Sequence, residues 1–326
     1  MQIMSWLSPI FEMFAGVIQK ILAVALIFGT TTAPATTTPI EAISPDEVLL
    51  TFTALGDTQV NAMNGNVKYF EGILEDLDNA KTTQDAFMIV GDITENSLDS
   101  EWNLITDNLL THNFGKDLVF ATGNHDIRLR SYDESVKKFT NCVNTVTGSD
   151  YDSFIYSKVI NGYTFIVMGS DREEMEEAYI SVEQLQWVDK ELKNATKTGK
   201  PVFVVLHQPL KNTHGLPLTW GSGNNANAGH VGEQSDQILA TLNKYKNVIL
   251  ITGHLHTGFG DYSFEKIGNI RSVNVPGAGK KNADGDYCDY GTGYSVEVYS
   301  NEVIFRARDF DDGKYLPEFD IAIPIE

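Results

Sequence analysis

The chain has 326 residues, 42% of them hydrophobic, enough for one large domain or two with a well-buried core and too apolar for a disordered protein. Lys and Arg total 24 against 44 Asp and Glu, and the net charge of −20 repels nucleic acid polymers and other polyanions. Two cysteines, Cys142 and Cys288, lie far apart without C-x-x-C spacing, which excludes a cysteine zinc site and leaves one long-range disulfide or two free thiols.

In chain order, residues 21–29 (ILAVALIFG) form an unbroken apolar run, and a Thr/Pro-rich stretch over 30–39 follows, with Ala33 and Ala35 in an A-x-A arrangement. Three readings stay open: a secretory signal peptide with its cleavage site, an uncleaved membrane anchor over about 6–29, and an amphipathic helix packed on the domain. The first two place the protein outside the cytoplasm, secreted or anchored to the membrane, with residues 1–46 as signal or anchor plus linker. From Val48 onward apolar runs alternate with amphipathic stretches: VLLTFTAL, a helix over about 64–80, AFMIV, a helix over about 97–112, and DLVFAT. This rhythm predicts an α/β fold with buried strands. Two alternating runs then meet at Asn161 and Gly162, the dipeptide of a type I′ hairpin, so an antiparallel component is expected. A helix over 181–195, the strand PVFVVL, a polar loop over 208–231, a helix to about 245 and the strand NVILIT follow, and the end is β-rich. No linker after residue 46 divides the chain, so a catalytic domain over 47–312 and a C-terminal tail over 313–326 are predicted.

The ends of the predicted strands carry the chemistry. TALGDTQ supplies Asp57 and Gln59, MIVGDITEN supplies Asp92, FATGNHD supplies Asn124 and His125, VVLHQP supplies His207, and LITGHLHTG supplies His254 and His256. Ligands of open α/β sheets bind beyond the carboxyl ends of strands, so these segments converge on one site despite their separation in sequence. Leaving His125 aside, seven candidate ligands, all offering O or N and none a thiolate, suit Mn, Fe, Zn or Co and are too many for one ion that keeps positions open for water. They suit two divalent metal ions sharing a carboxylate, about 3.5–4 Å apart and able to clamp a phosphoryl group. His254 and His256, two apart in an extended segment, would face one side while Leu255 turns to the core.

Taken in order, D-x-Q, GD, GNHD, H and GH-x-H resemble the calcineurin-like metallophosphoesterase superfamily over roughly residues 49–310. GDITENSLDSEW is closest to the branch of class III cyclic nucleotide and glycerophosphodiester phosphodiesterases. The resemblance implies a four-layer α/β/β/α sandwich of two mixed sheets with a dinuclear metal centre across the strand ends. It assigns Asp57, Gln59, His256 and the bridging Asp92 to one ion, and Asp92, Asn124, His207 and His254 to the other. His125 would stand over the substrate as general acid or cationic clamp, with Asp126 holding its ring. The implied reaction is hydrolysis of a small-molecule phosphoester, a diester before a monoester, by a bridging hydroxide. A phosphomonoesterase on the same centre, or a scaffold of the same fold that binds protein without catalysis, are the alternatives. Gln59 departs from the commoner His, so a weaker, labile first metal is expected. The Tyr that follows the GD segment in purple acid phosphatases is replaced near Glu95 and Asn96, which excludes an iron-tyrosinate centre.

Other polar residues read more plainly. His112 belongs to a helix end, His214 and His230 to a solvated loop, and DREEMEE over 171–177 to a solvated acidic turn. Trp220 either stacks on a substrate or anchors its loop. NAT at Asn194 is a glycosylation sequon by pattern alone.

Overall fold

The computed structural model describes residues 37–61, 63, 65–220 and 229–326. The signal and anchor readings of the first 36 residues lie outside them, and among the described residues no helix is long and apolar enough to cross a membrane.

Three wholly buried runs open the domain. β1 (Leu50–Leu55), β2 (Ala86–Val90) and β3 (Leu118–Ala121) are parallel, and no position along them reaches solvent. Continuous apolar strands of this kind need cover on both faces. Helices α1 (Val67–Asp78) and α2 (Asp99–Thr111) join β1 to β2 and β2 to β3, and Phe70 of α1 meets Phe87 of β2 at 6.3 Å between ring centroids. The predicted helices over 64–80 and 97–112 are thus present but shorter. After the single-turn α3 (Asn124–Ile127) comes α4 (Tyr132–Thr147), which the sequence reading omitted; Ser131 caps it by accepting from the Glu134 amide, and its Phe139 packs edge-on against Trp102 of α2.

The second sheet begins with the hairpin β4 (Tyr156–Ile160) and β5 (Tyr163–Val167), whose turn residues Asn161 and Gly162 have φ 49° and 79°, as a type I′ turn requires. β6 (Val202–Val205), β7 (Val248–Thr252), β8 (Phe264–Ile267) and β9 (Ile270–Asn274) complete it in the order β4-β5-β6-β7-β9-β8. Helices α5 (Val182–Ala195) and α6 (Ser235–Leu242) cover its outer face. β5 shows the layering residue by residue: Ile166 packs with Val188 and Leu192 of α5, while Phe165 points the other way and meets Phe52 of β1 at 5.5 Å. Phe203 of β6 reaches Phe52 from the same side at 5.2 Å. Phe52 therefore pins one sheet to the other, and truncating it to Ala would cost about 3–5 kcal/mol.

β10 (Thr292–Val298), β11 (Glu302–Asp309), β12 (Lys314–Tyr315) and β13 (Ile321–Pro324) finish the first sheet, in the order β12-β11-β10-β1-β2-β3 with β13 also on β11. β10 runs antiparallel to β1, so both sheets are mixed, as expected of the sandwich. Two predicted boundaries are corrected. Residues 313–326 are no tail, because Ile321 and Ile323 are buried and β13 pairs with β11. The linker ends before Thr38: Ile40 is buried, its carbonyl accepts from Lys81 and Thr82, and the Thr38 carbonyl accepts from the buried Arg308, which also grips Asp76 through two 2.7 Å bonds. Cys142 and Cys288 are free thiols.

Candidate metal centre

The carboxyl ends of β1, β2 and β3 in one sheet meet those of β6 and β7 in the other. Main-chain bonds tie the strand ends within each sheet, the Asp57 amide donating to the Gly91 carbonyl, Gln59 to Asp92, and Gly253 to His207, while the His207 ring on the Val90 carbonyl and the His254 amide on Asp57 Oδ2 cross between the sheets. Glycine is needed where the turns touch. A Cβ on Gly123 would lie 2.1 Å from Asp92 Oδ1, and one on Gly91 would lie 2.6 Å from the His207 ring.

At this junction Asp92, His207 and His254 each place a ligand atom within 4.8 Å of the other two. His207 Nε2 lies 3.3 Å from Asp92 Oδ2 and 3.8 Å from Asp57 Oδ1, and 3.2 Å from His254 Nδ1. Its other nitrogen, Nδ1, is 2.6 Å from the Val90 carbonyl, which only accepts, so Nδ1 carries a hydrogen and Nε2 is the nitrogen turned inward, toward the carboxylates. His256 Nε2 sits 3.1 Å from Asp57 Oδ1, and Gln59 Nε2 3.5 Å from Asp92 Oδ2. All seven expected ligands thus border one junction. Three buried atoms there have no hydrogen-bond partner in the protein: Gln59 Oε1, Asn124 Oδ1 and His254 Nε2. Leaving them so would cost about 1–3 kcal/mol each.

The charges are as unbalanced as the lone pairs. Burial works to raise Asp92, but His207, His125 and His254 hold it below the usual carboxylate range. Burial works to lower His207, and Asp92 and Asp57 overcome it and lift the ring to about 9. Burial, then the neighbouring His207, drives His254 well down. Two carboxylates are pulling positive charge into a dry site, and the chemistry of the donors fits divalent cations.

The backbone differs from the expectation at one point. His254 and His256 do not lie in an extended segment: both have positive φ, 72° and 50°. Both still border the junction because each is turned in separately, the His254 amide donating to Asp57 Oδ2 at 3.0 Å, and Leu255 is buried as expected. Asp57, Gln59 and Asp92 share this left-handed conformation, with φ of 48°, 38° and 48°. A non-glycine residue held there costs on the order of 1–3 kcal/mol, so five of the seven sit in strained backbone.

His125 lies on α3, where its ring borders the cleft and its Nε2 is 3.9 Å from Asp92 Oδ2. Asp126 does not hold it. Both oxygens of Asp126 are taken by the amides of Ile93, Thr94 and Gly123 and the Thr94 hydroxyl, so it ties the strand ends of β2 and β3 together. Burial, then Asp92, raises its pKa to about 6. The His125 ring is held by Glu95: Nδ1 is 2.7 Å from the Glu95 carbonyl and 3.8 Å from its carboxylate, which Lys280 balances at 2.7 Å. Arg128 also approaches Nδ1, at 3.0 Å. The carbonyl can only accept and is closer, so Nδ1 donates to it, and Nε2 is left to face the cleft.

Three further residues, His214, His230 and Glu176, depart from the sequence reading. His214 is fully buried, not solvated, between the Tyr262 carbonyl and the Ser272 hydroxyl, and burial lowers its pKa to about 4. His230 is buried and accepts from the Gly232 amide. In the acidic turn, Glu176 borders the cleft and bonds Asn124. Trp220 stacks on His254, with centroids 4.4 Å apart, and also borders the cleft. His112 is at a helix end, as expected, bonded to Asp78.

With the geometry in place, comparison with known proteins agrees. The family model for calcineurin-like phosphoesterase matches residues 50–258. The chain belongs to the calcineurin-like phosphoesterase family and is a metal-dependent phosphoesterase. Among solved structures it is similar to a dimetal phosphatase from Danio rerio, at 13% identity and a TM-score of 0.57, covering 86% of this chain and 100% of that one. It is also similar to GAP50, the anchor in the inner membrane complex of Plasmodium, at 14% identity and a TM-score of 0.50, over 85% of this chain and 89% of that one. Among curated proteins none matches the sequence.

Proposed function

We propose that the protein is a phosphodiesterase, with Asp57, Gln59, Asp92 and His256 holding one divalent ion and Asp92, Asn124, His207 and His254 the other. Ions bound by these donors would supply Lewis acidity toward phosphoryl oxygens and a water acidic enough to lose its proton near neutral pH. The rest falls to side chains. His125 binds the phosphoryl group and gives a proton from Nε2 to the leaving oxygen, its ring held from the Nδ1 side by Glu95. Trp220, Thr219 and Leu255 form a wall that limits water around the substrate.

The observation that carries the diester reading is the charge of the cleft. Its described lining, around a volume of about 250 Å³, includes the carboxylates of Asp92 and Glu176 and contains no Lys or Arg. The nearby cations are spent, Arg128 on Glu176 and Lys280 on Glu95. A monoester brings a second negative charge that no uncommitted Lys or Arg of the described lining meets, so bound ions alone would have to offset its loss of hydration. A diester carries one charge and avoids that cost. Mn, Fe, Zn and Co all suit the donors, and the apolar run at residues 21–29 supports a site of action outside the cytoplasm, secreted or membrane-anchored.

Hydrolysis of bis-p-nitrophenyl phosphate and p-nitrophenyl phosphate, each with Mn²⁺ and with chelator, tests both parts. The diester should lead by about tenfold or more in kcat/KM, and chelation should abolish turnover. A lead for the monoester sinks the diester reading, and activity indifferent to chelator sinks the metal centre.

A further inference from the structure

Asn124 and the acidic turn make a contact that metal ligation does not require. The Asn124 Nδ2 donates to the Met175 carbonyl at 3.1 Å and to Glu176 Oε2 at 3.0 Å. Both partners can only accept, so they fix which end of the amide is nitrogen. With both hydrogens committed, Oδ1 is turned the other way, buried and without a partner. Glu176 is itself held. Its other oxygen takes Arg128 at 3.3 Å, and its carbonyl accepts from Gln208, the neighbour of His207, at 3.0 Å.

The turn has a closed frame. The Asp171 amide donates to the Tyr179 carbonyl, and the Tyr179 amide donates to the Ser170 hydroxyl at 2.9 Å. The Asp171 carboxylate in turn accepts from the Ser181 amide and from Gln184. The acidic turn is thus folded back against the domain, and of its carboxylates it is Glu176 that reaches the Asn124 amide.

We propose that Glu176 is a positioning residue that locks the Asn124 amide with its oxygen toward the metal centre. An amide binds an ion through oxygen alone, and a free carboxamide rotates, so its useful orientation must be imposed. Without Glu176 the Met175 carbonyl holds one hydrogen, and Asn124 samples rotamers that withdraw Oδ1. The inference rests on the dinuclear reading above.

The test is Mn²⁺ binding, followed by the electron paramagnetic resonance of free Mn²⁺, so that no turnover enters. Wild type should bind two ions. Glu176→Ala should weaken one of the two by about 10–100-fold, the usual effect of losing a partner that orients a ligand, and leave the other unchanged. Glu176→Gln should restore affinity to within a few-fold, since its amide oxygen still accepts from Asn124. In an Asn124→Ala background, removing Glu176 should have no further effect. Thermal midpoints within a few degrees of wild type verify folding, as expected for a side chain that is 41% exposed. If Asn124→Ala weakens binding and Glu176→Ala does not, the positioning role is overturned and the metal centre stands. If Ala and Gln at 176 weaken binding equally, the carboxylate acts by charge alone, which also overturns it. A wild-type protein that binds no Mn²⁺ sinks the metal centre, and the role of Glu176 with it.

Discussion

His214 and His254 are both buried rings in loops that follow strands of the same sheet, and they are opposite kinds of residue. His214 has each nitrogen matched, Nδ1 to the Tyr262 carbonyl at 2.8 Å and Nε2 to the Ser272 hydroxyl at 2.7 Å, and burial lowers its pKa to about 4. His254 is left with Nε2 unpartnered and with Nδ1 3.2 Å from Nε2 of another ring, His207. No carboxylate contacts the His214 ring among the described hydrogen bonds and ion pairs, whereas Asp57 and Asp92 crowd the other cluster. Burial of a histidine is therefore not the mark of a site. Leftover lone pairs beside uncompensated carboxylates are, because such a cluster is satisfied only by a cation.

The sharpest way to break the contrast is to remove the carboxylate at its centre. Asp92→Asn should lose bound metal and slow diester hydrolysis by about 10³-fold or more while the protein stays folded, since several kcal/mol of charge stabilisation are at stake. Metal content by mass spectrometry and turnover of bis-p-nitrophenyl phosphate measure it, and a fully active variant would remove the dinuclear centre. His125→Ala should keep the metal yet slow turnover by about 10²–10⁴-fold for alkyl leaving groups. For nitrophenolate, which leaves without a proton, the loss should be smaller, and equal losses would mean that His125 clamps charge and donates no proton.

His214 tests the other side. Its folded pKa, about 4, lies below the unfolded value of 6.5, so the folded protein binds fewer protons. The stability it contributes is full above pH 6.5 and is lost as pH falls from there through about 4, up to about 3 kcal/mol. Urea unfolding of wild type and His214→Leu across that range should give curves that converge toward low pH, with metal content unchanged. Parallel curves would show that the ring does not titrate. The smallest effect is expected at Gln59. Gln59→His should tighten one metal by about tenfold or less, imidazole being the stronger ligand for these ions, and an unchanged titration would show that residue 59 does not touch metal.

Much of this was legible in the sequence because the site is made of strand ends, and strand ends are announced by the stop of an apolar run. Asp57, Asp92, Asn124, His207 and His254 each stand one to three residues past such a stop. What was illegible depends on partners distant in the chain. Glu176 meets Asn124 across 52 positions, and nothing in DREEMEE distinguishes the residue that folds inward. Asp126 was matched with His125 through adjacency, but on the single turn of α3 its carboxylate lies on the side of the strand-end amides. The pairing of His254 with His256 was anticipated for the wrong reason, period-two alternation, when left-handed turns bring both to the junction. α4 was a missed signal: the Ser131 to Glu134 spacing and Gly148, at φ 68°, mark both of its ends.

The left-handed backbone at Asp57, Gln59, Asp92, His254 and His256 carries a consequence for anyone who evolves this protein. Glycine relieves such a conformation without moving any neighbour, and at these five positions it also deletes the donor. A library selected for heat resistance alone would drift toward glycine there and yield sturdier, inert molecules; selection must hold turnover and melting temperature together, because in this protein they pull on the same residues.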